Sequence, residues 1–237
     1  MNIFTSNALF GIVLSLIAFE IGLLLYKRTK FPLFNPLLIA IALVIGFLLI
    51  FKIDFKTYNQ GGQFINMFLG PATVILAVPL YKQIKLLKAY GLPIFIGIFV
   101  GSAIGIVSII LLSYAFKLDP VIIKSLAPKA VTTPIGMEIS NELHGIVPIT
   151  VVAIVITGII GAMIGPLICK IFGIKHKVAV GVSLGTASHA VGTSKALEIG
   201  ETEGAMSSLS IGLAGLMTVF LAPFIYNILS GILHFHK

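Results

Sequence analysis

The feature that most constrains this chain is a succession of apolar runs of about 18 to 29 residues, at 8–26, 31–51, 64–81, 92–116, 145–169 and 205–233. A helix rises 1.5 Å per residue, so runs of this length approach or exceed a hydrocarbon core of about 30 Å. Charged residues stand between them in short clusters, KRTK, KIDFK, KQIKLLK, KLDP and KIFGIKHK. Only 10% of the residues are charged and 58% are hydrophobic, which excludes a water-soluble domain, whose solvated surface needs roughly 25% charged residues. The expected fold is an all-α polytopic membrane protein with six full spans.

The balance of 16 Lys+Arg against 8 Asp+Glu gives a net charge of +8. A nucleic-acid binder gathers its basic residues on a solvated face. Here they sit at helix ends, where anionic lipid is the nearest polyanion and no nucleic acid is expected. Lys27, Arg28 and Lys30 follow the first run, Lys82, Lys85 and Lys88 the third, and Lys170, Lys175 and Lys177 the fifth. The positive-inside bias places all nine in the cytoplasm and the N-terminus outside. That assignment requires 121–142 to enter and leave on the same side; a full crossing would put Lys170, Lys175 and Lys177 outside. The start MNIFTSNALF lacks the basic region of a cleavable signal, so the first run is expected to be retained. The single cysteine, Cys169, excludes an internal disulfide and reads as a packing residue.

Two segments are too polar for lipid: 120–140, with Lys129, Thr132 and Thr133, and 178–200, with Ser188, His189, Thr193, Ser194 and Lys195. Both carry Gly or Pro breaks, and such backbone is tolerated at membrane depth only inside protein or beside a watery cavity. They read as broken, re-entrant helices. The segments also recur. A 60-residue shift aligns 91–139 with 151–199 at 12 identities in 49 positions, where composition alone gives about 4. Gly101 and Gly105 fall on Gly161 and Gly165, and KAVTTPIGMEI falls on HAVGTSKALEI. With run 92–116 directed outward and run 145–169 inward, the copies are inverted, a recurrent plan of secondary transporters. A full crossing of 121–142 would instead make them parallel. The expected organisation is a single transmembrane domain, 1–237, with N-terminal scaffold spans at 1–90, a first repeat at 91–144 and a second at 145–237.

The runs LGPATVILAVPLYK (69–82), LAPKAVTTPIGMEIS (126–140), GTASHAVGTSKALEIG (185–200) and GAMSSLSIGLAGLMTVFLAP (204–223) resemble the signatures of the LrgB/CidB family over nearly the whole chain. That family is described as antiholin-like, murein-hydrolase-regulating membrane proteins, often paired with a small holin-like partner of the LrgA/CidA type. A plant relative is similar to a plastid glycolate/glycerate translocator, and bacterial relatives are tied to pyruvate movement. The resemblance implies small-monocarboxylate transport, with control of autolysis as the older description. A plant-type protein is expected to carry an added LrgA-like half and a transit peptide, so a bacterial plasma membrane is the expected location. Expected partners are a small organic anion, lipid, a second copy of the chain in a homo-oligomer, with a dimer favoured, and the holin-like subunit.

For a small carboxylate the useful chemistry is a few N–H donors and one or two cations in a cavity that water reaches. Pro128 followed by KAVTT reads as the first turn of a half-helix, whose N-terminus attracts an anion. Lys129, Thr132 and Thr133, at i, i+3 and i+4, then share a face. In the second copy His189 takes the place of Lys129, with Gly192 and Thr193 on its face and Ser188 adjacent. The competing reading makes these residues partners of broken backbone inside the bundle. Glu138 and Glu198 occupy equivalent repeat positions, and an intramembrane carboxylate is costly enough to suggest ion coupling. A local pair with Lys195, or a place at the membrane interface, would explain them more simply. Glu20 is expected to snorkel, and Asn141, Glu142 and His144 to face solvent at a turn. Gly181 to Gly185 fits G-x-S-x-G, but no strand precedes it and no ordered acid–His pair is evident. The five histidines, His234 and His236 in a tail among them, lack metal-ligand spacing, and no phosphate-binding loop is present. Neither an enzyme nor a cofactor is expected.

Overall fold

The computed structural model describes residues 8–29, 34, 36–68, 71, 74, 81, 82 and 84–233. Those residues form nine helices and no strand: α1 (Ala8–Thr29), α2 (Pro36–Ile50), α3 (Phe55–Met67), α4 (Ile84–Ala115), α5 (Pro120–Leu126), α6 (Thr133–Glu142), α7 (Val147–Ile171), α8 (Lys177–Ile199) and α9 (Glu201–Leu233). Four stretches are long and apolar enough to span a bilayer, namely α1, Lys88–Ala115 of α4, α7 and α9. The expected run 31–51 yields α2, an apolar helix of 15 residues, or about 22 Å. Most of the expected run 64–81 lies outside the described residues, as do Lys30, His234 and His236. Large apolar side chains stay exposed on every spanning helix, among them Leu16, Leu24, Leu92, Ile104, Val152, Leu167, Phe220 and Phe224. Lipid is the solvent that tolerates such a surface.

The chain divides into two compact units, 1–75 and 76–237. In the first, α1 crosses α3 at Gly11 and Gly61, where a Cβ on either residue would meet the backbone of the other helix. Ser15 Oγ and Tyr58 Oη lie 2.8 Å apart beside this crossing. Ala18, Ala40 and Val44 form the core between α1 and α2. Small residues at the contacts are how helices approach in lipid, where apolar burial brings no transfer gain and packing must hold the pair.

In the second unit, the ring of Tyr90 near the start of α4 meets the ring of His176 edge-on at 5.3 Å. The start of α4 and the end of α7 therefore share one end of the unit, the end that carries Lys85, Lys88, Lys170, Lys175 and Lys177. With α4 and α7 antiparallel, the intervening 116–146 begins and ends at the opposite end. It forms a hairpin. Asp119 caps α5 by accepting the Val121 N–H at 2.8 Å, residues 127–132 leave the helix, and α6 returns. The hairpin is fastened to α7: Ser125 Oγ accepts the Ile146 N–H at 2.6 Å, and Thr150 Oγ1 donates to the Ser125 carbonyl at 2.8 Å. Ile106, Ile110, Ile123, Ile139, Leu143 and Tyr226 are part of the core packed around it.

The second broken segment is a hairpin from the other end. The first half of α8 runs beside the start of α9, with Gly181 against the Glu203 carbonyl and Gly185 against the Ser207 carbonyl. At His189 the backbone leaves the helix, with φ 41° and ψ −129°. The second half runs back, Thr193 beside Ser207 and Leu197 beside Gly204. Gly181 and Gly185, the glycines of the G-x-S-x-G pattern, thus serve close helix packing. The two breaks are centred near 129 and 189, matching the 60-residue shift of the sequence.

Candidate functional site

Thr132 is extended (φ −68°, ψ 149°) and precedes α6, which begins at Thr133 with Pro134 in its first turn. This corrects the half-helix expected at Pro128: residues 127–130 form a turn. Lys129 therefore projects from the break and does not share a helix face with Thr132 and Thr133. Pro134, which lacks an N–H, is tolerated where a helix begins, so the start lies five residues further on.

His189 is buried, and its ring Nε2 lies 3.1 Å from the carbonyl of Ile154 in α7. Room for the ring comes from Gly158, where a Cβ would stand 2.6 Å from His189 Cε1. Thr193 Oγ1 donates to the His189 carbonyl at 3.0 Å and lies 2.7 Å from Ser207 Oγ of α9. At Gly192 a Cβ would meet the Leu184 carbonyl and, at 2.5 Å, Ser188 Cβ, so only glycine closes this turn of the chain. His189, Gly192 and Thr193 are thus brought together at the break, their polar atoms engaged in holding its shape. Ser188 Oγ and Thr186 Oγ1, in the turn just before, are buried with no hydrogen-bond partner among the described residues.

Two cavities flank this half of α8. The larger, about 790 Å³, lies towards α4 and extends from Tyr90 and His176 past Gly97 and Val182 to Lys129 and Thr186. The smaller, about 420 Å³, lies towards α7 and is lined by Thr157, Gly161, Gly165, Ser188 and again Lys129. Gly101 and Gly105 in the first cavity fall on Gly161 and Gly165 in the second when the sequence is shifted by 60 residues. Among the described lining residues Lys129 is the one primary amine, it reaches both cavities, and no carboxylate accompanies it. Walls that are otherwise largely apolar keep the local dielectric low, so a monoanion drawn to Lys129 would feel its charge strongly.

The remaining candidates lie elsewhere. Thr132 and Thr133 are half-buried and line neither cavity. Glu138 is exposed. Glu198 is exposed and pairs with Lys195 at 2.7 Å, the local ion pair considered from the sequence. Asn141, Glu142 and His144 are exposed at a helix end, where His144 takes φ 58° and the Gly145 N–H reaches the Ser140 carbonyl. Sequence reasoning missed Thr186, Tyr90, His176 and the buried Glu203. Thr186 lies three residues before His189 inside a quoted motif, which was the available signal. Glu203 is in the first turn of α9, where an acid complements the helix dipole.

No solved structure matches the chain. Among curated proteins it is 43% identical over 220 residues to the antiholin-like protein LrgB of Bacillus mycoides, covering 92% of this chain and 96% of that one. It is 42% identical, with the same coverage, to proteins of the same name from Bacillus cereus and Bacillus anthracis. The LrgB-like family profile matches residues 15–228, a stretch that includes both broken helices and both cavities. A helical membrane protein with two hairpins around a shared lysine, this chain belongs to the LrgB-like family.

Proposed function

We propose that the protein is a secondary transporter of small monocarboxylates, of the pyruvate, lactate, glycolate or glycerate class, built on two inverted repeats. The observation that carries this reading is Lys129, an ammonium at the tip of one broken helix that lines two cavities beside the other. Discontinuous helices meeting near mid-membrane are where such carriers bind substrate. Lys129 is the charge partner and Ser188 a hydroxyl partner. His189, Gly192 and Thr193 shape the break, and Thr132 and Thr133 begin the returning helix. Glu138 and Glu198, with Lys195 beside the latter, are the candidates for coupling to protons.

Flux of radiolabelled pyruvate, lactate or glycolate into liposomes that contain only this protein tests the reading. Lys129→Ala is expected to insert and purify normally yet lose at least about tenfold in apparent affinity, since a hydrogen bond to a charged group contributes about 1.5–3 kcal/mol. Glutamine at the coupling position should remove the dependence of net uptake on a proton gradient while sparing exchange, which needs no net proton movement. Absence of flux would defeat the carrier. The second reading, favoured by the name of the Bacillus relatives, is a non-transporting antiholin-like regulator acting on a holin-like partner and so on autolysis. It predicts no flux, and co-purification with that partner instead.

A further inference from the structure

We propose that Thr186 is a specificity-determining residue of the carrier, its hydroxyl reading the oxygen on the carbon next to the carboxylate of a 2-hydroxy or 2-oxo acid. The assignment rests on the transport reading above and adds to it a residue and a discrimination.

It starts from how hydroxyls are satisfied in this bundle. A serine or threonine inside a helix ordinarily donates to the carbonyl four residues back. Ser125, Thr193, Ser208, Ser210 and Thr218 all do so, at 2.7–3.0 Å. Thr186 does not. It is 8% exposed, and its Oγ1 has no partner among the described residues. An orphaned buried hydroxyl destabilises the fold, so its retention calls for a reason.

Thr186 is one of the residues that line the larger cavity, the one it shares with Lys129. Its methyl group packs on Gly101, where a Cβ would stand 3.2 Å from Thr186 Cγ2. A single ammonium can neutralise a single carboxylate, and a second ionised group would enter the apolar walls unpaired. A hydroxyl donates to an oxo group and accepts from a hydroxyl with equal ease, whereas a methylene offers it nothing. Ser188, two residues on, lies about 200° round the helix at 3.6 residues per turn and lines the other cavity. The two orphans therefore do not meet one small ligand atom, and Thr186 is the one placed in the larger chamber.

The test compares acids that differ only at that carbon. Inhibition of labelled-substrate counterflow by lactate and by propanoate is measured in liposomes holding the full chain. Wild type should prefer lactate. Thr186→Val, nearly the same shape without the hydroxyl, should lower that preference roughly tenfold by weakening lactate alone, a size set by one neutral hydrogen bond. Thr186→Ser should keep it. Thr186→Ala reads the same ratio if the valine variant does not fold. An unchanged ratio in the variant overturns the assignment, and so does an equal loss for both acids, which would make Thr186 a general carboxylate partner. If wild type moves no monocarboxylate, the transport reading falls and this assignment with it, an outcome visible without any variant.

Discussion

A histidine at φ 41° and ψ −129° occupies a region that side chains with a Cβ avoid, at a cost of about 1–3 kcal/mol. What holds His189 there is its ring, bonded to the Ile154 carbonyl and seated over Gly158. Backbone strain and ring anchoring can be separated by mutation. His189→Ala loses the anchor and keeps the strain, while His189→Gly loses the anchor and relieves it. The glycine variant is therefore expected to unfold at the higher temperature in detergent, by the equivalent of about 1 kcal/mol or more. Equal melting temperatures would mean that the break is imposed by the surrounding helices alone. Glu198 behaves in the opposite way. Its exposed pair with Lys195 is of the kind that contributes little stability, so Glu198→Gln should leave the melting temperature nearly unchanged, whatever it does to coupling.

At the scale of elements, glycines of the two stretches that the 60-residue shift aligns meet different surroundings. A Cβ at Gly105 of α4 meets nothing within 4 Å, whereas one at Gly161 of α7 runs into Ser188 Oγ and stands 2.9 Å from Ser188 Cβ. The first half of α8 thus sits against Gly161 and Gly165 of α7, whereas on α4 it touches Gly101 and leaves Gly105 open beside the larger cavity. Gly105→Ala should be neutral or slightly stabilising, because alanine is the better helix former by about 1 kcal/mol. Gly161→Ala should cost about 1–3 kcal/mol through overpacking and displace Ser188. Thermal unfolding of the two purified variants measures the difference. Similar losses in both would imply that Gly105 is also covered in the folded protein.

For the molecule as a whole, the basic clusters and the two hairpins make one statement about the membrane. The hairpin of α5 and α6 starts from the end of the second unit opposite to Lys88 and Lys170, and that of α8 starts from the same end as those lysines. Single cysteines at 82, 85, 88, 170, 175 and 177, and at 27 and 28, should react with an impermeant thiol reagent only from the cytoplasmic side. Labelling of 170–177 from outside would defeat the inverted arrangement.

What could be read along the chain was whatever depends on composition over a helix length. Apolar runs announce spans because lipid cannot satisfy a free backbone, and α1, α4, α7 and α9 lie where those runs stand. Polar runs with Gly and Pro announced the breaks, and the helix is interrupted at both 129 and 189. Where α6 begins was not legible at that resolution, because Pro128 and Pro134 are each acceptable at a helix start and only the packing of the hairpin selects between them. The partners of individual side chains were beyond reach for a similar reason. Lys129 lines the cavities with Thr186 and Ser188 because two hairpins from opposite ends of the bundle bring their tips together. Residues 57 and 59 positions apart become neighbours through the folding of α4, α7 and α9 around them, and no local pattern of charge or hydropathy encodes that meeting.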